Sequence, residues 1–171
     1  QSGRYWIIYN GEIYNFLELR QELEQLGYHF KTEGDTEVVL YSYIEWGENF
    51  QDRCNGMWSL AIWDNVQKIL FLSRDRFGIK PLYYYEQEGN FYFASELKAF
   101  FPIMKEKKVN YNIFEKKDYF GYESTQECCI DSVKKIQAGH YGYLKNGHLD
   151  IFRWWNTLDH LIDISVRYEE Q

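Results

Sequence analysis

The alternation of apolar and polar positions changes character twice along the chain. Arg4-Tyr-Trp-Ile-Ile-Tyr9 is a run of β-branched and aromatic residues closed by Asn10-Gly11, which predicts a buried strand entering a tight turn. Helical spacing follows: Phe16, Leu19, Leu23 and Leu26 recur at three- and four-residue intervals, Asn15 stands at an N-cap position with Glu18 three residues on, and Gly27 supplies a left-handed stop. After a short strand predicted over Tyr28–Lys31, Asp35 is placed to cap a second helix with Val39, Tyr43 and Trp46 on one face and Gly47 at its end. From Met57 the period shortens to that of strands. Three hairpins are predicted: Met57–Trp63 with Ile69–Arg74 around Asp64-Asn65, Leu82–Glu86 with Phe91–Ser95 around Gly89-Asn90, and His140–Leu144 with Leu149–Trp154 around Asn146-Gly147. Asn-Gly is the strongest short signal for a two-residue primed turn. Residues 97–135 carry no clear period and read as a solvated face, with a Lys-rich stretch near Lys105–Lys108 and a weakly helical patch over Tyr111–Tyr119. A strand, two helices and a series of antiparallel strands define an α+β layered domain over residues 1–155, and the polar tail from Asn156 to Gln171 reads as a linker.

Composition narrows the function classes. The 171 residues are 45% apolar and 20% aromatic, enough for one domain with a real core and too apolar for a disordered chain. The net charge of −7, with no Lys/Arg run longer than two, argues against a nucleic-acid surface. No apolar run approaches the roughly 20 residues of a membrane helix. Cys54, Cys128 and Cys129 are odd in number and two are adjacent, a pair that rarely closes a disulfide, which points to a reducing compartment such as the cytoplasm. Together with His29, His140, His148 and His160 they show no zinc-ligand spacing.

Three stretches have side chains suited to chemistry. In Tyr9-Asn10-Gly11-Glu12, an Asn amide beside an approachable Gly N–H offers two donors for a carbonyl oxygen that becomes negative, the requirement of an acyl-transfer oxyanion hole; the same dipeptide is also an ordinary turn. In Gly34-Asp35-Thr36-Glu37, a carboxylate at a helix start can hold the ammonium of an amino-acid substrate, and can equally be an N-cap. Ser73-Arg74-Asp75-Arg76-Phe77-Gly78-Ile79-Lys80-Pro81-Leu82-Tyr83-Tyr84 reads by itself as a turn stapled by ion pairs between two strands.

Taken together, the wording of these stretches resembles the class II, N-terminal-nucleophile glutamine amidotransferase domain, in the form found in glutamine-hydrolysing asparagine synthetases. It is carried by Tyr9-Asn-Gly-Glu-Ile-Tyr-Asn15, Gly34-Asp-Thr-Glu-Val38, Asn55-Gly-Met-Trp58, Ala61-Ile-Trp-Asp64, Arg74-Asp-Arg-Phe-Gly-Ile-Lys-Pro-Leu-Tyr-Tyr84 and Phe93-Ala-Ser-Glu-Leu-Lys-Ala99. It runs from about Tyr5 to Tyr141 and weakens between Lys105 and Lys135. The resemblance implies a four-layer αββα sandwich in which an N-terminal cysteine, with its own α-amine as base, attacks the glutamine side-chain amide, releases ammonia and leaves a thioester for water. It further implies that Asn10 and Gly11 form the oxyanion hole and that Glu12 and Asp35 bind the α-amino end of glutamine. Ammonia would pass to a C-terminal synthetase domain that uses ATP and Mg to activate aspartate. No cofactor is expected in this chain, and a homodimer is one expected assembly.

The chain opens with Gln1-Ser2-Gly3, directly before a strand that lies deeper in the family's domain, and Cys54 is a mid-chain residue with no free amine. The expectation is therefore a domain incomplete at its N-terminus, inactive alone and with exposed sheet edges. No Ser-Gly-Gly-x-Asp pyrophosphate loop follows it. A related amidotransferase of surface-sugar biosynthesis, and a non-catalytic remnant that binds glutamine or a partner protein, are the alternative readings.

Overall fold

The computed structural model describes residues 3–115 and 125–160. Among them the order is β1 (Tyr5–Ile13), α1 (Phe16–Gln25), α2 (Asp35–Trp46), a 3-10 turn (Gly47–Asn49), α3 (Phe50–Arg53), β2 (Gly56–Asp64), β3 (Ile69–Arg74), β4 (Tyr83–Gln87), β5 (Asn90–Ala94), a 3-10 turn (Leu97–Phe100), α4 (Asn112–Glu115), β6 (Val133–Lys135), β7 (His140–Lys145), β8 (His148–Arg153) and a last 3-10 turn (Thr157–His160). The strands form two antiparallel sheets, a larger one in the order β1-β2-β3-β7-β8 and a smaller one in the order β5-β4-β6.

The layers follow from which faces of the strands are apolar. Along β2, Trp58, Leu60 and Ile62 join Phe71 of β3 and pack against Leu19, Leu23, Val38, Val39 and Phe50 of the helices. The intervening residues Ala61 and Leu72 face the smaller sheet, against Leu82, Tyr84 and Ile136, with Phe91, Phe93, Leu149 and Ile151 around them. Both faces of the central strands are therefore covered, and they read as nearly continuous apolar runs. The outer face of the smaller sheet is closed by Tyr85, Phe100, Met104, Cys128 and Val133. Part of the 97–135 segment thus packs as a core layer, where the sequence reads a solvated face; Lys105–Lys108 does stay exposed. The result is an α–β–β stack with a short-turn cover. No helix among the described residues is long and apolar enough to cross a membrane.

All three predicted hairpins form. The β7–β8 turn has positive φ at both Asn146 (51°) and Gly147 (77°), as a primed turn requires. Gly27 (φ 95°) ends α1 and Gly47 (φ 59°) ends α2. Of the predicted 111–119 helix, Asn112–Glu115 forms and residues 116–119 lie outside the described residues.

Several expectations are corrected. The first strand does not turn at Asn10-Gly11; it runs on to Ile13, because nine consecutive pairs with β2, Tyr5↔Asp64 through Ile13↔Gly56, hold these residues extended. Nor is it buried on both faces: Tyr5, Ile7, Tyr9 and Ile13 pack toward the helices, while Trp6 and Ile8 are 65% and 66% exposed. Tyr28–Lys31 is not a strand. The Tyr28 N–H bonds the Leu23 carbonyl, and the Lys31 and Thr32 N–H groups both bond the Glu37 carboxylate, so the segment folds onto α2. Asn15 makes no side-chain cap. Its amide instead donates to the Arg53 carbonyl (3.0 Å) and accepts from the Asn55 N–H (2.8 Å), tying the start of α1 to the end of α3.

Candidate active site at the edge of the larger sheet

The site is built on the outer half of β1. The Tyr14 N–H bonds the Asn55 carbonyl and the Asn65 N–H bonds the Arg4 carbonyl, each at 2.8 Å. Antiparallel pairs alternate, so the even-numbered residues of β1 direct their backbone groups at β2 and the odd-numbered ones direct theirs at the open edge. Two contacts agree with this phase. The Ile13 N–H points outward and donates to Asp35 Oδ2 at 3.0 Å. Trp58, the partner of Gly11, turns its own backbone the other way: its N–H donates to Asp75 Oδ2 (3.2 Å) and its carbonyl accepts the Asp75 N–H (2.9 Å). The Gly11 N–H therefore faces outward on the open edge of β1.

Glycine is required at this position. A Cβ at Gly11 would lie 2.4 Å from the Met57 carbonyl oxygen and 2.8 Å from the Trp58 Cα, so only a bare backbone permits this approach to β2.

Asn10 is exposed, and its Nδ2 donates to Ser95 Oγ at 3.2 Å, linking β1 to the end of β5 in the other sheet. Gly11, Glu12 and Asp35 line one open cleft of about 360 Å³ together with Ile13, Tyr14 and Phe16. The Asn10 side chain lines a second cleft between the sheets, with Ile8, Leu60, Leu82, Phe93 and Ser95. The four residues singled out from the sequence thus gather along one stretch of sheet edge: three share a cleft, and the Asn10 amide is reached from its other side.

Asp35 is the first residue of α2 and caps nothing; Gly34 stands at the cap position. Its carboxylate is fixed from β1, since Oδ2 accepts from the Tyr9 hydroxyl at 2.7 Å and from the Ile13 N–H. Burial, and next the bond to Asp35, raise the Tyr9 phenol well above its ordinary value, so it remains a donor throughout the neutral range. Tyr9 and Ser95 carry no site role in the sequence reading. Tyr9 lies next to Asn10 on the helix-facing side of an alternating strand, and Ser95 lies within the quoted Phe93–Ala99 motif; those are the signals that mark them.

The 73–84 turn supports the site from behind, through charged side chains that bond backbone groups. Asp75, fully buried, accepts from the N–H groups of Trp58, Phe77, Ile79 and Lys80. Arg74 donates to the carbonyls of Lys80, Ile136 and Gly78, and Arg76 to that of Cys54. Their charges serve backbone groups that the irregular chain leaves unmatched. Cys54 is buried and its thiol is pushed up to about 12, chiefly by burial, with Arg76 opposing, so it is no thiolate at neutral pH. Cys128 is buried on the far face of the smaller sheet, and none of the three cysteines lines either cleft.

An edge N–H beside an amide, above a cleft carrying two carboxylates, presents donors suited to a carbonyl oxygen and acceptors suited to an ammonium. Residues 1–155 match the glutamine amidotransferase domain family, and the chain belongs to that family. Among curated proteins it is similar to asparagine synthetase (glutamine-hydrolysing) 3 of Bacillus subtilis, 38% identical over 162 residues, covering 92% of this chain and 26% of the relative. It is also similar to asparagine synthetase (glutamine-hydrolysing) 1 of the same organism, 39% identical over 139 residues, covering 81% and 22%. The chain thus spans about a quarter of the length of these relatives. Among solved structures it shares its fold with the glutamine phosphoribosylpyrophosphate amidotransferase of B. subtilis complexed with ADP and GMP (TM-score 0.65, 19% identity, 91% of this chain and 30% of that one). The fold is thus that of the N-terminal-nucleophile amidotransferases.

Proposed function

We propose that this domain hydrolyses the side-chain amide of glutamine as the glutaminase part of a glutamine-hydrolysing asparagine synthetase in the cytoplasm. The observation that carries the reading is the outward Gly11 N–H, next to the Asn10 amide and above the cleft of Glu12 and Asp35. Glu12 and Asp35 bind the α-ammonium of glutamine by charge-assisted hydrogen bonds. The side-chain carbonyl then lies at the β1 edge, where the Asn10 Nδ2 and the Gly11 N–H stabilise the negative oxygen that forms when a thiol attacks the amide carbon. Ammonia leaves and water cleaves the glutamyl thioester. Because no cysteine among the described residues lines the clefts, the reading assigns the attacking thiol to a segment outside them. Ammonia is consumed by a synthetase domain, the natural partner of this one, which binds ATP and Mg and acts on aspartate.

The test is a comparison of glutamine hydrolysis and ammonia-dependent amide synthesis in the full-length protein. Asn10→Ala is expected to lower kcat for glutamine hydrolysis by about 10²-fold, the usual effect of removing one oxyanion donor. Asp35→Asn is expected to raise KM for glutamine instead, and both variants should keep ammonia-dependent synthesis. Unchanged glutamine hydrolysis in Asn10→Ala would remove the oxyanion assignment.

A further inference from the structure

We infer that Tyr9 is a positioning residue for glutamine: it pins Asp35 so that one carboxylate oxygen is free for the substrate ammonium at a fixed distance from the Gly11 N–H. This rests on the reading of Asp35 given above and goes beyond it by adding a residue that touches no substrate atom.

The geometry has three parts. First, both donors that reach Asp35 use the same oxygen, Oδ2: the Tyr9 hydroxyl at 2.7 Å and the Ile13 N–H at 3.0 Å. Two donors on one oxygen restrain the carboxylate, and Asp35, with its Oδ1 taken by neither of them, lines the cleft that Gly11 and Glu12 also line. Second, Tyr9 and Ile13 stand two residues either side of Gly11 on one strand, and both side chains lie on its helix-facing side. Asp35 is thereby bolted to β1 across the oxyanion donor, although it belongs to a different element 22 residues downstream of Ile13. Third, the Tyr9 ring is half-buried against the main core, so its hydroxyl is aimed by the fold.

The consequence is a ruler. Glutamine must reach from its ammonium to its side-chain carbonyl, and an amide one methylene shorter must not fit as well. Such selection needs the two ends of the site in one rigid frame. The Ile13 N–H alone leaves the carboxylate free to swing about one bond; the second donor, the Tyr9 hydroxyl, restricts that swing.

The experiment uses the full-length protein with Tyr9→Phe, which keeps the ring and removes the donor, beside Asp35→Asn and the double variant. Steady-state glutamine hydrolysis is measured, with asparagine as the shorter competitor and ammonia-dependent synthesis as the folding control. Tyr9→Phe is expected to raise KM for glutamine by about threefold to tenfold, the scale of one ordinary hydrogen bond, since Asp35 keeps its bond from Ile13, with kcat within about twofold. Asparagine should become a relatively better competitor. On the Asp35→Asn background Tyr9→Phe should add less than about twofold, because the two act as one unit. If Asp35→Asn raises KM and Tyr9→Phe does not, the positioning role is overturned while the function stands. A fall in kcat at unchanged KM, or an equal loss of ammonia-dependent synthesis, also overturns it, since that is damage of another kind. If Asp35→Asn leaves KM unchanged, or the unmodified protein does not hydrolyse glutamine, the reading of the site falls and this inference with it.

Discussion

Asp75 and Asp35 show how far a single carboxylate's role depends on what surrounds it. Each follows a glycine or arginine in a charged stretch; from sequence Asp35 reads as an N-cap or an ammonium ligand, and Asp75 as part of a stapled turn. Asp35 reaches across to β1 and leaves an oxygen open. Asp75 is enclosed, and its two oxygens accept from four backbone N–H groups of a turn that has no ladder of its own. Replacing it by Asn keeps the size but removes the charge and puts a donor where acceptors are needed. Asp75→Asn is expected to destabilise the domain by about 3 kcal/mol, read as a fall in the urea midpoint at unchanged slope. A change below about 1 kcal/mol would show that water replaces those contacts. Residue type alone left Asn10-Gly11 readable as an ordinary turn and Asp35 as an N-cap; the candidate site was singled out because the wording of these stretches resembles the amidotransferase family. Tyr9 and Ser95 were not legible, because a tyrosine in an aromatic strand and a serine near a turn have ordinary structural uses, and only contacts 26 and 85 residues away give them another.

At the level of elements, the helices and hairpins were readable where the signal is local. Periodic leucines and stopping glycines mark α1 and α2, and Asn146-Gly147 closes its hairpin as written. Two misreadings lie where a distant partner overrode a local preference. Asn10-Gly11 favours a turn, yet nine pairs with β2 extend it. Asn15 favours a cap, yet its side chain bridges Arg53 and Asn55. That bridge joins the residue following the cleft to the end of α3, so Asn15→Ala is expected to lower stability by about 1 to 2 kcal/mol, more than loss of a solvated surface amide would. Thermal unfolding with glutamine hydrolysis measured in parallel checks this; a stability change within about 0.5 kcal/mol of zero would mean the bridge is incidental.

Across the whole molecule, one ion pair joins the start of the first strand to the first hairpin turn. Arg4 donates twice from Nε and once from Nη2 to the Asp64 carboxylate, with the shortest contact 2.7 Å, and Asp64 also accepts from the Val66 and Gln67 N–H groups. The bond to Arg4, followed by those backbone donors, holds the Asp64 carboxyl well below the usual carboxylate range, against the effect of burial. A carboxyl depressed in the folded state adds stability above its unfolded value, near 4, and that stability is lost as pH falls through the folded value. Acid unfolding that begins below about pH 5 should therefore be less steep in Asp64→Asn than in the unmodified protein; identical pH profiles would refute the contribution. The sequence by itself determined the α+β class, α1 and α2, the hairpins and the family, because these depend on residue type and short-range spacing. Only the tertiary structure decided that the first strand passes straight through Asn10-Gly11, that the Gly11 N–H faces the open edge, and that Tyr9 fixes Asp35 beside it. Those facts depend on ladder phase and on contacts between residues far apart in the chain, which no local pattern encodes.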